Sequence, residues 1–132
     1  MAIKIYYTQK VTVDGETKLS STKSLEVEAY DQIEAKIPPK TDPGAPVEID
    51  VQPMEKSGAV EFLLIKADRY LDNLKFQVGD GIQVALNTPH MFVKDAIKLL
   101  DNDKAPQKVK FTNEDDQNDV KVTIIVGRKA VV

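Results

Sequence analysis

Cysteine and tryptophan are absent from this chain of 132 residues, and histidine occurs once. Without cysteine, the chain can form no disulfide, thiolate nucleophile, zinc–thiolate site or iron–sulfur ligation. That composition fits a reducing compartment. A zinc site built from several histidines is excluded by the count alone, because zinc needs three or four nitrogen, sulfur or oxygen ligands.

Long apolar runs and clusters of positive charge are also lacking. The longest uninterrupted apolar run, residues 62–65, is far shorter than the roughly 20 residues that span a bilayer. The first residues alternate like a strand and contain no apolar core of a signal peptide. The net charge is −3, and Arg69 and Arg128 are the only arginines, whereas nucleic-acid binders concentrate positive charge on one face. We therefore expect a cytoplasmic protein that binds neither membranes nor nucleic acid.

The main positive signal is alternation of apolar and polar residues with a period of two, which recurs from end to end. Asp14-Gly15 separates an alternating segment at 3–13 from a returning one, and this dipeptide favours the type I′ turn of a hairpin. Residues 59–67 are apolar on both faces and predict a strand buried on both sides. The pattern predicts a single domain over residues 1–132, an all-β antiparallel β-sandwich or jelly roll of about nine short strands.

One stretch departs from the alternation. Thr88 followed by Pro89 is a combination found at helix starts, where threonine caps the helix and proline occupies its first position. Apolar residues then follow at helical spacing, namely Val93, Ala96, Ile97 and Leu100. We expect at most one short helix, near Lys94–Leu100.

An oxygen-rich segment at 113–119 is the one candidate metal site. Its carboxylates Asp115, Asp116 and Asp119 could gather a calcium ion, which takes six to eight hard oxygen ligands. The segment lacks both the glycine and the terminal glutamate of an EF-hand loop. Acidic and amide side chains also collect at hairpin ends, where they bond their own backbone. Calcium is the only cofactor that the sequence suggests.

Catalytic signatures are weak. His90 has no flanking nucleophile motif of the kind that serine hydrolases carry. Carboxylates two residues apart on a strand, Glu26 with Glu28 and Glu48 with Asp50, lie about 7 Å apart and could flank a glycosidic bond. The solvent face of a half-covered sheet is expected to be polar in any case. The sequence therefore predicts no enzymatic activity.

Three segments resemble small β-sandwich proteins of phage virions and related particles: the Asp14-Gly15 hairpin, the strand Phe62–Tyr70, and the closing hairpin Lys110–Arg128. The resemblance implies a non-catalytic structural module that assembles with copies of itself or with a larger protein. It also implies a virion-associated location as an alternative to a cytoplasmic one. No functional residue is carried over, because none of these segments is a diagnostic motif.

An alternative from another class is a module that binds carbohydrate or another ligand, with or without calcium. Such a module would use loop oxygens and an exposed tyrosine, the candidates being Tyr6, Tyr7, Tyr30 and Tyr70. The absence of tryptophan weakens this alternative, because aromatic faces supply the stacking surface for sugars.

Overall fold

The computed structural model describes residues 3–39, 47–51, 60–70, 74–101, 107–115 and 117–129. These residues form ten strands and one short 3₁₀ helix. The strands are β1 Ile3–Val13, β2 Glu16–Val27, β3 Ala29–Ile37, β4 Val47–Asp50, β5 Val60–Ala67, β6 Leu74–Val78, β7 Gln83–Ala85, β8 His90–Val93, β9 Lys108–Asn113 and β10 Val120–Arg128, and the helix is Lys94–Leu100.

Eight of the strands form two antiparallel sheets of four. Sheet I has the order β3-β10-β5-β8, and sheet II has the order β4-β9-β6-β7. The pairing is nested, because β3 pairs with β10, β4 with β9, β5 with β8 and β6 with β7. A ribbon of nested pairs folded into two packed sheets is a jelly roll. The predicted all-β sandwich is therefore confirmed, with ten strands rather than nine.

The hydrophobic core lies between the two sheets because each strand turns alternate side chains inward. Phe76 on β6 and Phe111 on β9 are direct cross-strand neighbours, and both are fully buried. Opposite them, Leu63 and Ile65 on β5 and Ile124 on β10 contribute from sheet I. β5 is apolar on its other face as well, which indicates a second covered surface.

That second surface is covered by the hairpin of β1 and β2, which we call the arm. Asp14 and Gly15 at its turn have φ values of 50° and 78°, the positive values that a type I′ turn requires. The predicted hairpin is confirmed. The pairing shifts register between Val11 and Thr12, so a β-bulge interrupts the ladder near the turn.

The helix was expected in the right place but for a wrong reason. Residues Lys94–Leu100 form it, yet its N-cap residue is Val93, which makes no side-chain capping bond. Thr88 and Pro89 precede a short strand, β8, which is the strand that the sequence did not predict. Strand pairing with β5 overrides the local capping signal here, as tertiary contacts often do. Among the described residues, no helix is long and apolar enough to cross a bilayer.

Candidate functional site

The base of the arm packs on the outer face of sheet I. Leu25 and Val27 on β2 are buried there against Phe62 on β5. The ring of Tyr7 lies 6.2 Å from that of Phe62, at a tilt of 44°, which is a favourable range for two aromatic rings. Half-buried apolar residues surround this contact, namely Ile5, Leu64, Met91, Val93 and Ile125. The arm is therefore fixed to the sandwich at its base.

Gly127 on β10 makes room for this contact. It lies beside Phe62 in the sheet, and a Cβ atom added there would sit 2.7 Å from Cδ1 of Ile5 and 3.0 Å from Cγ1 of Val27. Both distances are shorter than ordinary van der Waals contact. A larger side chain at this position would push the arm away from sheet I.

A bend at Glu28, between β2 and β3, sets the direction in which the arm leaves the sandwich. The Glu28 N–H donates to the carbonyl of Arg128 at 2.8 Å. The Arg128 guanidinium donates to the carbonyl of Val51 at 2.6 Å and contacts the carboxylate of Asp31. Hydrogen bonds to a charged donor are stronger than neutral ones. These contacts hold β3, β10 and the end of β4 together at the arm's exit.

Beyond its base the arm leaves the sandwich. Every residue from 8 to 20 is exposed, and six residues of extended strand on β1 span about 20 Å. We call residues 8–20 the distal half of the arm. A two-stranded ribbon standing alone in water is marginally stable at best. A length of ribbon with both faces uncovered is therefore a candidate interaction surface.

The two faces of the distal half differ in chemistry. Cross-strand partners share a face, so Val11 and Leu19, which pair directly, lie on the face that is buried at the base. Val13 continues this inner face toward the turn. The three side chains are 47%, 43% and 52% exposed, respectively. An apolar strip thus continues from the buried base into solvent.

The opposite, outer face is polar. Thr8 and Thr22 pair across the strands, and their hydroxyls are hydrogen-bonded at 3.0 Å. Lys10 pairs with Ser20, and Thr12 pairs with Thr17. The distal half is therefore amphipathic. The sequence contained a signal for this strip, since Val11 and Val13 alternate before the turn, but burial could not be assigned without knowing where the sandwich ends.

The oxygen-rich segment forms a self-bonded turn after β9. Oδ1 of Asp115 accepts hydrogen bonds from the backbone N–H groups of Gln117 and Asn118, both at 2.8 Å. The buried Asn113 supports the turn, since its Nδ2 donates to the carbonyl of Asn118 at 2.7 Å and its Oδ1 accepts from the N–H of Asp115 at 3.0 Å. The sequence allowed two interpretations of this segment, a metal site and a hairpin-end turn. These hydrogen bonds are those of the turn.

Asp119 faces cations. Its carboxylate lies 2.9 Å from Nζ of Lys36 and 3.3 Å from Nη2 of Arg69. Asp116, the third candidate calcium ligand, lies outside the described residues. Among the residues described, no group of three or more histidine, cysteine or acidic side chains is placed to hold a metal ion. A calcium ion at Asp119 would have to displace these cations, and calcium binding stays a prediction.

Both described carboxylates have lowered pKa values. Backbone hydrogen bonds from Gln117 and then Asn118 lower the pKa of Asp115, and for Asp119 the largest cause is the hydrogen bond from Lys36. A lowered pKa in the folded state stabilises the fold above the pKa of the unfolded chain. This stabilisation is lost as the pH falls through the folded value.

We therefore expect Asp119→Asn to lower the thermal unfolding midpoint at about pH 6, where the charged form stabilises the fold, and to have a smaller effect at about pH 3, below the ordinary aspartate pKa, because this stabilisation is lost as the pH falls toward the lowered folded value. Scanning calorimetry of the variant and the parent chain at both pH values measures this. An equal loss at the two pH values would show that charge plays no part in the role of Asp119.

Of the other sequence candidates, His90, Glu48 and Asp50 lie apart from the arm, whereas Tyr6 and Tyr7 are on β1. His90 is half-buried, with Nε2 3.2 Å from the carbonyl of Ala85 and its ring 5.4 Å from that of Phe76. Glu48 and Asp50 are exposed on sheet II opposite Lys110 and Lys108. Phe62, Phe76 and Phe111 are buried, whereas Tyr6, Tyr30 and Tyr70 are exposed and Tyr7 is half-buried.

A polar depression of about 680 Å³ lies on the outer face of sheet II, lined by Glu48, Gln77, Gly79, Asp80, Asp101, Gln107, Lys108 and Lys110. Asp101 is only 6% exposed, and within the described structure its Oδ1 has no hydrogen-bond partner. Its Oδ2 would lie 2.0 Å from a Cβ added at Gly79, whose φ is +54°. Glycine is therefore required there.

No protein-family model matches the chain, and neither the curated proteins nor the solved structures include one detectably similar to it. Function must therefore be inferred from the geometry of the chain itself. The amphipathic distal half of the arm is the feature that points most directly to a partner.

Proposed function

We propose that the protein is a non-catalytic structural module that assembles with copies of itself through the arm, in the cytoplasm or as part of a virion-like particle. The observation that carries this proposal is the exposed strip of Val11, Val13 and Leu19 on a ribbon that leaves the sandwich. Exposed apolar surface rimmed by polar residues is typical of protein–protein contact sites. Most soluble assemblies of identical chains have closed rotational symmetry.

The jelly-roll fold is consistent with this proposal but does not distinguish a structural role from ligand binding. The same fold occurs in viral capsid domains and in lectins, and a fold by itself does not specify function. A lectin-like role would place the site on loops or on an aromatic platform. The arm favours the structural role because it extends an uncovered apolar face about 20 Å away from the sandwich.

Adjacent residues on opposite faces of the arm supply a matched test. Glutamate at Leu19 would place a charge in the proposed contact, whereas glutamate at Ser20 would place the same charge on the polar face. We expect Leu19→Glu to weaken self-association by more than about tenfold, since burying an unpaired charge costs more than the ~1.4 kcal/mol that a factor of ten represents. Ser20→Glu should associate like the parent chain.

Light scattering over micromolar concentrations measures the average mass of each protein. Both substitutions are at exposed positions, so each should change the free energy of unfolding by less than about 0.5 kcal/mol. A parent chain that stays strictly monomeric across this range would contradict self-assembly. If both variants still formed the oligomer of the parent chain, the interface would lie elsewhere than on the arm.

A further inference from the structure

The inner face of the arm, from Lys23 to the turn, combines an exposed apolar strip with a charged residue at each end. Building on the proposed function, we propose that two copies stack arm against arm, inner face on inner face, antiparallel about a two-fold axis close to the Val11–Leu19 pair. In a two-fold contact the same patch serves both copies. Each arm then covers the apolar strip of the other.

Charge on the inner face selects the antiparallel arrangement. The strip is bounded by Lys23 toward the base and by Glu16 beside the turn, which pair with Tyr7 and Val13, respectively. Lys18 also lies between them on β2; the bulge leaves it without a cross-strand partner, and it is ion-paired with Glu16. The other inner-face residues between Glu16 and Lys23 are uncharged, namely Gln9, Val11, Val13, Leu19 and Ser21. Antiparallel stacking brings each Glu16 within one residue pair of the partner's Lys23, whereas parallel stacking would set like charges at the same level along the two ribbons. Opposite charges across an interface favour one register and disfavour others.

Glu16 remains available for this contact. It lies 3.1 Å from Nζ of Lys18 in its own chain, but both side chains are largely exposed, and such a pair contributes little. The bulge next to Thr12 is what turns Glu16 to the inner face, because it shifts the pairing so that Glu16 lies opposite Val13. Without that bulge, alternation along β2 would set Glu16 on the polar face.

The contact continues an interface that already exists within each chain. The inner face is buried against sheet I at Leu25 and Val27, and it becomes exposed where the sheet ends. A second arm, stacked about 10 Å away as packed sheets are, would extend that covered face toward the turn. The strip is short, so the buried area falls below the ~1,200–2,000 Å² of a standard stable interface. The pair should therefore depend on concentration.

The chain's lack of cysteine allows a direct test. Leu19→Cys puts a single thiol on the inner face beside the proposed axis, and Ser20→Cys puts a single thiol on the outer face one residue away. Treated with a short bismaleimide, Leu19→Cys should form covalent dimers at least about tenfold faster than Ser20→Cys, because docking raises the effective concentration of the two thiols. Denaturing electrophoresis over time measures both rates.

Charge reversal tests the antiparallel arrangement in the same assay, applied in the Leu19→Cys background. Glu16→Lys alone and Lys23→Glu alone should each slow cross-linking, since each brings like charges together. The double variant should restore the parent rate. If the arms stacked in parallel, the double variant would cross-link no faster than either single variant.

Equal cross-linking of the two cysteine variants would overturn the arm-to-arm contact. If light scattering nevertheless showed an oligomer that Leu19→Glu disrupts, the arm would dock elsewhere on the second copy, and only the present inference would fail. A strictly monomeric parent chain would overturn the proposed function as well. The two failures are therefore distinguishable.

Discussion

Phe62→Ala is expected to release the arm from the sandwich and to lower the free energy of unfolding by about 3–5 kcal/mol, the usual cost of removing a buried phenylalanine ring. Phe62 is 4% exposed and is the sheet I residue beneath Leu25 and Val27. It also contacts the ring of Tyr7. Hydrogen exchange should accelerate first at the arm base, because local units can open before the whole fold does.

Phe62→Leu is the matched control, since leucine keeps most of the apolar volume and should keep the arm docked. Urea unfolding measures the stability of both variants, and hydrogen exchange read out by mass spectrometry locates the loss. Unchanged exchange at Ile5 and Leu25 in Phe62→Ala would show that the arm is held by other contacts. If Phe62→Ala lowered the free energy of unfolding by less than ~1 kcal/mol, that would also show that other contacts hold the arm.

Phe111→Ala should also cost about 3–5 kcal/mol, but here the loss should be global. Phe111 is fully buried between the sheets and pairs with Phe76 on β6 and with Val47 on β4. Natural domains are stable by only ~5–15 kcal/mol, so this single truncation removes a large part of the total. Exchange should accelerate across both sheets together, in contrast to the local pattern of Phe62→Ala.

Phe92→Ala is the comparison for this second prediction, because Phe92 lies on the short edge strand β8 and is only half-buried. Phe92→Ala should lower the free energy of unfolding clearly less than Phe111→Ala does. Urea unfolding with an unchanged slope against denaturant would show that only stability has changed. Equal losses at the two positions would mean that the core does not centre on the Phe76–Phe111 pair.

Much of the strand pattern could be predicted because period-two alternation is a local property of the chain. The bounds of β1 follow from the alternation of residues 3–13 and from the Asp14-Gly15 turn, whose positive φ values glycine and aspartate tolerate. The strand at His90–Val93 could not be predicted, because the four residues are too short to show a period. Its pairing with β5 is a long-range contact that no local signal contains.

Side-chain roles were harder to predict than strands. Ile82 continues the alternation of Val84 and Leu86, yet it is 75% exposed, since it precedes β7 and follows the turn at Gly81. The acidic segment indicated either a metal site or a turn, and only the structure shows Asp119 beside Lys36 and Arg69. Lys36 and Arg69 are distant in sequence, so their convergence depends on strand pairing.

The sequence by itself determined the all-β class, the hairpin at Asp14-Gly15 and the absence of cysteine chemistry, because composition and alternation act residue by residue. Tertiary structure alone decided the nested strand order, the docking of the arm base on Phe62 and the exposure of Val11, Val13 and Leu19. A single apolar strip runs along the arm. The edge of sheet I decides where it stops being buried, and that edge is a property of the folded chain.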